Sequence, residues 1–531
     1  MVASAHPEAT AAGIAMLRQG GNAVDAAVAT AFALAVAEPY ASGIGGGGFA
    51  LVRMGEELRF VDFRETAPAK ASRDMYLRDG EAVRELSLDG PLAVAVPGAV
   101  AGYLDLHARW GKLPREVVLA PSIRLAREGV AIDERYRSFV RHRAPLLRKD
   151  PEAARIFLQN GDVPPLGWKL VQPELAKTLE ALAESGPAPF YEGAIAKAMV
   201  TDLAARGGIL TEEDLKSYRV RDREPLLGSY RGHAIATAPP PSAGGVIVLS
   251  VLNALETLPT DLPWRDPLEL HLYIEASKRA FADRRLLGDP DFVDFPLASL
   301  ISKERARGWV ESIGFEATPP EAIPGPEAGE FKEGAHTSHL SVVDAEGNAV
   351  SLTTTINTPF GAGIVAKGTG VLLNNEMDDF ASAPGVPNAY GIVGSEANAI
   401  APGKVPLSSM SPTIVFAGET PTSPVRMVVG SPGGSRIPTT VIQIIVNHLA
   451  HGAPVDVAVA AGRIHQQHLP ESVFVERLAL DAATLGLLRL RGHRIVEGGT
   501  WSNATVIAVD PETGLRTGAA DPRGVGTAMA E

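Results

Sequence analysis

The sequence predicts an α/β protein, built as one large domain or as two to three lobes. Length is the first reason: 531 residues can bury a sizeable core and exceed the usual span of one compact domain. The second is an alternation along the chain between segments with helical spacing and segments with a period of two. The third is an ordinary globular composition, 45% hydrophobic and 21% charged. The 54 glycines and 41 prolines imply many turns and close backbone approaches.

ATAAGIAMLRQGGN (9–22) reads as a helix closed by Gly20 and Gly21, and AVDAAVATAFALAVAEP (23–39) as a second. The apolar run 26–37 in the second, between Asp25 and Glu38, is too short to cross a bilayer and suits a buried helix. GIGGGGFALVRM (43–54) is a Gly-rich turn entering a strand, and LRFVDFRE (58–65) is another strand. Residues 95–220 are largely helical, with Thr211 placed as an N-cap before acids in the first turn. Residues 230–258 read as strand, Pro-rich turn and helix.

The stretch 315–336 (FEATPPEAIPGPEAGEFKEGAH) holds four prolines, several acids and few large apolar residues. It predicts an exposed, mobile loop. HTSHLSVVDAEGNAVSLTTTIN (336–357) then predicts two alternating strands around a turn at Asp344–Asn348. No internal repeat is present.

A net charge of −13 argues against nucleic acid and anionic membrane surfaces as partners. The absence of cysteine excludes disulfides, thiolate chemistry and Cys-bound zinc or iron–sulfur clusters. No basic segment precedes an apolar run after Met1, so no signal peptide is read. This favours the cytoplasm, or a periplasmic or secreted protein if a leader has been removed. GIGGGGF enters a strand where a dinucleotide fingerprint opens a helix, and GSPGGSR (430–436) lacks the Walker lysine. His465 and His468 have metal-like spacing without a carboxylate-rich partner motif, and read as packing or surface histidines. No metal and no organic cofactor is expected.

Thr337, in GAHTSHLS (334–341), poses the functional question. A threonine hydroxyl is a weak nucleophile that needs a base, and its own α-amine can serve. That amine, with an unperturbed pKa of roughly 7.7–8.0, exists only if the His336–Thr337 bond is cut. On spacing alone, a Thr opening a strand is an ordinary β-branched sheet residue.

Further blocks change this reading. They are GGNAVDAAVA (20–29), GGGGF (45–49), DFRETAPAKA (62–71), HTSHLSVVD (336–344), TTTINTPFGAGI (353–364), LLNNEMDDF (372–380), PGVPNAYGIVG (384–394), PLSSMSPTI (406–414) and GSPGGSR. With these, in this order, nearly the whole chain resembles the γ-glutamyltransferase (γ-glutamyltranspeptidase, glutathione hydrolase) family of N-terminal-nucleophile hydrolases. The resemblance implies a four-layer αββα sandwich. It also implies self-cleavage before Thr337 into a large subunit, 1–336, and a small subunit, 337–531, that stay associated.

The resemblance further assigns roles. Thr337 would attack the His336 carbonyl in the precursor and a γ-glutamyl amide in the mature protein, with Thr355 orienting it. Gly433 and Gly434 would offer backbone N–H groups to the oxyanion; read alone, GSPGGS is an ordinary turn. Arg64, with Ser408 and Ser409, would bind the α-carboxylate of a glutamyl head; read alone, Arg64 would pair with Asp62 or Glu65. Asp379, Glu376 and Asn357 would hold the α-amine, whereas Asp378 and Asp379 read alone form a solvated acidic turn. Tyr390 would be the aromatic of a lid loop and meet Asn357. Ser338 departs from the family pattern, where many relatives carry a second Thr.

The expected activity is transfer and hydrolysis of γ-glutamyl groups from glutathione-like donors to water, amino acids or peptides. The alternatives are a cephalosporin-type acylase or oxamate amidohydrolase that shares Thr337 but lacks the glutamyl-head site, and an unprocessed, non-catalytic binding protein.

Overall fold

Two antiparallel sheets lie face to face, each covered on its outer side by helices. The computed structural model describes residues 1–324, 337–381, 388–392 and 394–531. The first sheet has seven strands in the order 527–529, 2–4, 338–343, 349–355, 47–54, 57–62 and 221–223. The second has six, ordered 516–520, 505–509, 425–430, 413–416, 233–237 and 226–230. Both sheets draw strands from before and after residue 337. This is the αββα sandwich, and the N-terminal strand Val2–Ser4 that edges into its centre was not foreseen.

Strand period two sorts the side chains. Ala50, Val52, Val61, Leu340, Val342, Val350 and Leu352 point outward into one helical layer, which includes Pro7–Arg18, Ala23–Ala37 and Ala99–Trp110. Phe49, Leu51, Phe60, Ile414, Phe416, Val428 and Ile507 point inward between the sheets. Ile235, Val415, Met427 and Val506 face the second helical layer, which includes Gly244–Leu255, Pro267–Asp283 and Ile437–Leu449. No helix among the described residues is long and apolar enough to cross a membrane.

Local signals work where a side chain closes the backbone nearby. Asn22 accepts from the N–H groups of Val24 and Asp25 and starts Ala23–Ala37. Thr211 forms the same reciprocal box with Asp214. In the hairpin turn, Asp344 Oδ1 accepts from the N–H groups of Glu346 and Asn348. The Gly-rich run 43–48 enters the strand Gly47–Met54, as expected. Glycine is required there by close approach: a Cβ on Gly46 would lie 2.0 Å from the Thr355 carbonyl oxygen.

The expected mobile loop differs in its first part. Thr318 is tied by its N–H to Glu275 Oε1 (3.2 Å), by its carbonyl to Lys278 Nζ (2.9 Å) and by its hydroxyl to Arg279 Nη2 (3.1 Å). Residues 325–336, His336 included, lie outside the described residues. His465 and His468 are both buried, which excludes a surface placement. His465 bonds Thr439 Oγ1 and Gln467 Oε1, and no group of three potential metal-ligating side chains occurs among the described residues.

Candidate active site

The hairpin register puts Ser338 opposite Thr354, and so Thr337 opposite Thr355. Both share parity with His339 and Thr353, so both face the gap between the sheets, at its end. Thr337 Oγ1 donates to Thr355 Oγ1 at 3.3 Å, and both residues are buried. Thr355 Oγ1 also accepts the Asn357 N–H at 2.8 Å. Asn357 has φ +74°, a left-handed conformation uncommon outside glycine. Its Nδ2 donates to the Asn375 carbonyl, and the Tyr390 hydroxyl donates to its backbone carbonyl (3.1 Å) and to its Oδ1.

Behind Thr337 the chain is equally fixed. Ser338 Oγ donates to Glu38 Oε2 at 2.7 Å, so the departure from Thr at this position keeps a hydroxyl with a definite partner. His339 is sealed between the sheets against Thr353 and Ser341, and burial pushes it down to about 3. It is neutral and structural.

Arg64 follows the strand Glu57–Asp62 and is 1% exposed. It pairs with neither Asp62 nor Glu65. Asp62 takes Arg223 instead, at 2.7 Å. Arg64 Nη1 meets Glu376 at 2.6 Å, Nη2 meets Asp379 at 2.5 Å, and Nε donates to the Pro406 carbonyl. Burial alone would lower the guanidinium, but Glu376 and Asp379 raise it above its ordinary value.

The carboxyls respond to the same crowding. Burial pushes Glu376 well above the carboxylate range, Arg64 opposing it and Glu65 and Asp379 adding to it. Burial likewise pushes Glu65 up to about 8. Glu376 Oε2 and both Glu65 carboxyl oxygens lack a hydrogen-bond partner among the described residues. Asp378 is no solvated turn residue. It is buried, accepts from Ser87 Oγ and the Ala389 N–H, and is pushed up to about 6 by that burial.

One pocket of about 20 Å³ brings these groups together. Arg64, Thr337, Thr355, Glu376, Asp379, Tyr390, Ser408, Ser409 and Gly434 all line it. Gly433 and Asn357 stand just behind that lining. Gly433 (φ +139°) and Gly434 (φ +55°) form the tight entry to the helical segment 434–449. A Cβ on Gly434 would lie 2.5 Å from the Tyr390 ring, so the aromatic packs directly on the bare backbone. Of the expected lid, Asn388–Ile392 are described, and 384–387 and 393 lie outside the described residues. Asn388 fixes this part by accepting the N–H groups of Tyr390 and Ile392.

Arg284, Met410 and Ile437 also line the cavity and were missed in the sequence. Met410 was within reach, since it adjoins Ser409. Arg284 had no local signal. It is one of two adjacent arginines in RRLLGDP, and only the fold shows which one turns inward. Burial pushes Arg284 down to about 10, with Asp379 pulling it up and Arg64 pushing it further down.

The arrangement offers a hydroxyl nucleophile, a cation and acids at fixed separation, and a glycine turn beside them. Comparison with known proteins agrees. The family model described as Gamma-glutamyltranspeptidase matches residues 9–531. The glutathione hydrolase proenzyme of Escherichia coli (strain K12) is 43% identical over 99% of this chain and 90% of its own length. Among solved structures, the cephalosporin acylase from Bacillus halodurans superposes with a TM-score of 0.86 at 28% identity, covering 99% of this chain and 94% of that one. A chain of Helicobacter pylori gamma-glutamyltranspeptidase, 39% identical, gives 0.60 over 61% of this chain and 94% of that one. The protein whose residues converge on Thr337 therefore belongs to the gamma-glutamyltranspeptidase family.

Proposed function

We propose that this chain is a γ-glutamyltransferase and glutathione hydrolase proenzyme that cuts itself between His336 and Thr337 into pieces 1–336 and 337–531. One observation carries the reading. Thr337 lines the same pocket as a buried arginine flanked by two acids and a pair of serine hydroxyls. A zwitterionic head with an amide at its far end suits that set, because guanidinium matches carboxylate and carboxylate matches ammonium.

In the first reaction Thr337 Oγ attacks the His336 carbonyl carbon. The C–N bond breaks, the released nitrogen takes a proton, and water opens the resulting ester. The new α-amine then supplies the base that the sequence lacks. In the second reaction it takes the Oγ proton as Oγ attacks the γ-carbonyl of the donor. The leaving amine carries that proton away, and water or an acceptor amine resolves the acyl-enzyme. Thr355 holds Oγ in line, and the Gly433 and Gly434 N–H groups face the oxyanion. Arg64, Ser408 and Ser409 take the donor α-carboxylate. Glu376, Asp379 and Asn357 take its α-amine, and Tyr390 covers the head. The interleaving of both pieces within each sheet supports their staying together after the cut.

The solved acylase, 28% identical, and two acylase proenzymes of Pseudomonas species, each 38% identical over the whole of this chain, favour the alternative activity, but that activity leaves the buried Arg64 cluster without a purpose. The test is intact mass and a denaturing gel beside Thr337→Ala, followed by turnover of a γ-glutamyl anilide and of an acyl-cephalosporin. Two wild-type pieces meeting at His336/Thr337, an uncut variant and turnover of the anilide are expected. A wild-type chain that stays whole, or that cleaves the cephalosporin alone, defeats the proposal.

A further inference from the structure

The second buried arginine of the cavity has a geometry that its charge alone does not explain. Arg284 opens the short turn after the helix Pro267–Asp283 and is 7% exposed. Its Nη1 donates to the Ser408 carbonyl at 2.7 Å and to Ser409 Oγ at 3.0 Å, and its Nη2 donates to the Leu407 carbonyl at 2.9 Å. Each of these acceptors is neutral. The guanidinium fork therefore clamps three consecutive residues of one loop and crosses from the part of the chain before residue 337 to the part after it.

The clamp also fixes the sense of two hydroxyls. A serine hydroxyl has one hydrogen and two acceptor positions. Arg284 occupies an acceptor position of Ser409 Oγ, and the Met410 N–H occupies one of Ser408 Oγ at 3.0 Å. The Ser408 backbone is held in turn by the Ala243 N–H on its carbonyl and by the Pro241 carbonyl on its N–H. Each hydroxyl keeps its own hydrogen to donate, and both line the cavity beside Arg64. Oxygens of an ionised carboxylate, which only accept, fit two such donors. An amide N–H does not.

We propose that Arg284 is a positioning residue for substrate selection: it holds Ser408 and Ser409 as a pair of hydroxyl donors and so makes the site require a carboxylate on the substrate head. This rests on the reading of Thr337 as nucleophile and of the cavity as the glutamyl-head site. The arginine does not touch the reacting atoms. Lysine in its place keeps the charge but offers no planar fork for three acceptors.

The test uses processed protein and two donors, a γ-glutamyl anilide and the anilide of 4-aminobutanoate, which keeps the amine and lacks the carboxylate. Arg284→Lys should raise KM for the first about tenfold, the scale of a charge-assisted hydrogen bond, with kcat/KM for the second changing less than about twofold. Ser409→Ala added to Arg284→Lys should lower activity by less than about twofold more, because the two act as one unit. Equal losses on both donors, or fully additive losses, overturn the proposal and leave the proposed function standing. A wild-type protein that turns over no γ-glutamyl anilide overturns both. Arg284→Gln, which keeps an N–H donor, is measured in parallel. Failure of both single variants to give folded protein would make Arg284 a structural residue only and end the proposal.

Discussion

Replacing Thr355 by valine removes one oxygen and almost no volume, so it isolates what that oxygen does. In the structure it accepts two hydrogens, from Thr337 Oγ1 at 3.3 Å and from the Asn357 N–H at 2.8 Å. The two bonds differ in weight. The first is long for a hydroxyl pair, whose usual separation is about 2.7–2.8 Å, so it orients the nucleophile more than it stabilises the fold. The second is short and serves a buried residue in a left-handed conformation. Orphaning that N–H should cost about 1–3 kcal/mol of stability, read as a lower midpoint in denaturant. Freeing Thr337 to leave its line of attack should slow self-cleavage and kcat together, by about tenfold to a hundredfold. KM should change little, because the Arg64 cluster is untouched. A gel time course of cleavage and steady-state kinetics on a γ-glutamyl anilide read the two effects separately. A variant that matures and turns over at the wild-type rate would refute the argument, whatever its stability.

Three other perturbations read other parts of the site. Glu65 is held protonated by burial, so its folded value near 8 lies above its unfolded value of 4.5. The stabilisation is complete below pH 4.5 and is lost as pH rises through 8. Glu65→Gln should flatten that slope in urea melts between pH 5 and 9, and parallel curves would refute it. Tyr390→Phe should cost about 1 kcal/mol by thermal shift through the lost bonds to Asn357, and an unchanged midpoint would refute it. Gly434→Ala should lower kcat about a hundredfold, since a Cβ at φ +55° meets the Tyr390 ring; retained activity would remove that turn from the mechanism.

How much could be read in advance followed how local each cause was. The helix 23–37, the N-cap at Thr211 and the hairpin turn at Asp344 are set by side chains within four residues of the backbone they hold. Sheet order is not local. Val2–Ser4 pairs with 340–342 and Thr527–Met529, more than 330 and 520 residues away. Three residues hold too little pattern to be read as a strand, and residues 1–40 gave only helical spacing. HLSV (339–342) alternates polar and apolar as a surface strand would, yet both faces of the strand 338–343 are buried. On its polar face His339 meets Thr353 and Ser341 donates to the Thr505 carbonyl inside the sandwich. The site residues were legible through their family blocks, but their pairing was not. Arg64 was read against Asp62 and Glu65 in its own strand, and its partners lie some 310 residues on.

Those distant partners bear on how the proposed site selects a substrate. Two cations and three carboxyls buried together would be costly if left uncompensated. Arg64 and the acids around it compensate one another, and Arg284 is solvated by neutral acceptors. Arg64 sits between Glu376 and Asp379, burial favours the protonated forms of Glu65 and Glu376, and the pocket they share measures about 20 Å³. A zwitterionic head enters such a site by exchange. Its carboxylate replaces acid oxygens on Arg64, and its ammonium takes the acids released. The net charge of the buried set is unchanged by binding, because the head brings one charge of each sign. A head lacking its carboxylate leaves the ammonium to compete with Arg64 for the same acids, and a head lacking its amine leaves two acids facing a bound carboxylate. Either mismatch strands a buried charge at about 3–5 kcal/mol, at least a hundredfold in selectivity. Selection by charge exchange of this kind tolerates variation at the far end of the donor, where the amide meets Thr337. On the proposed reading, then, the site demands the glutamyl head and leaves the leaving amine largely unconstrained.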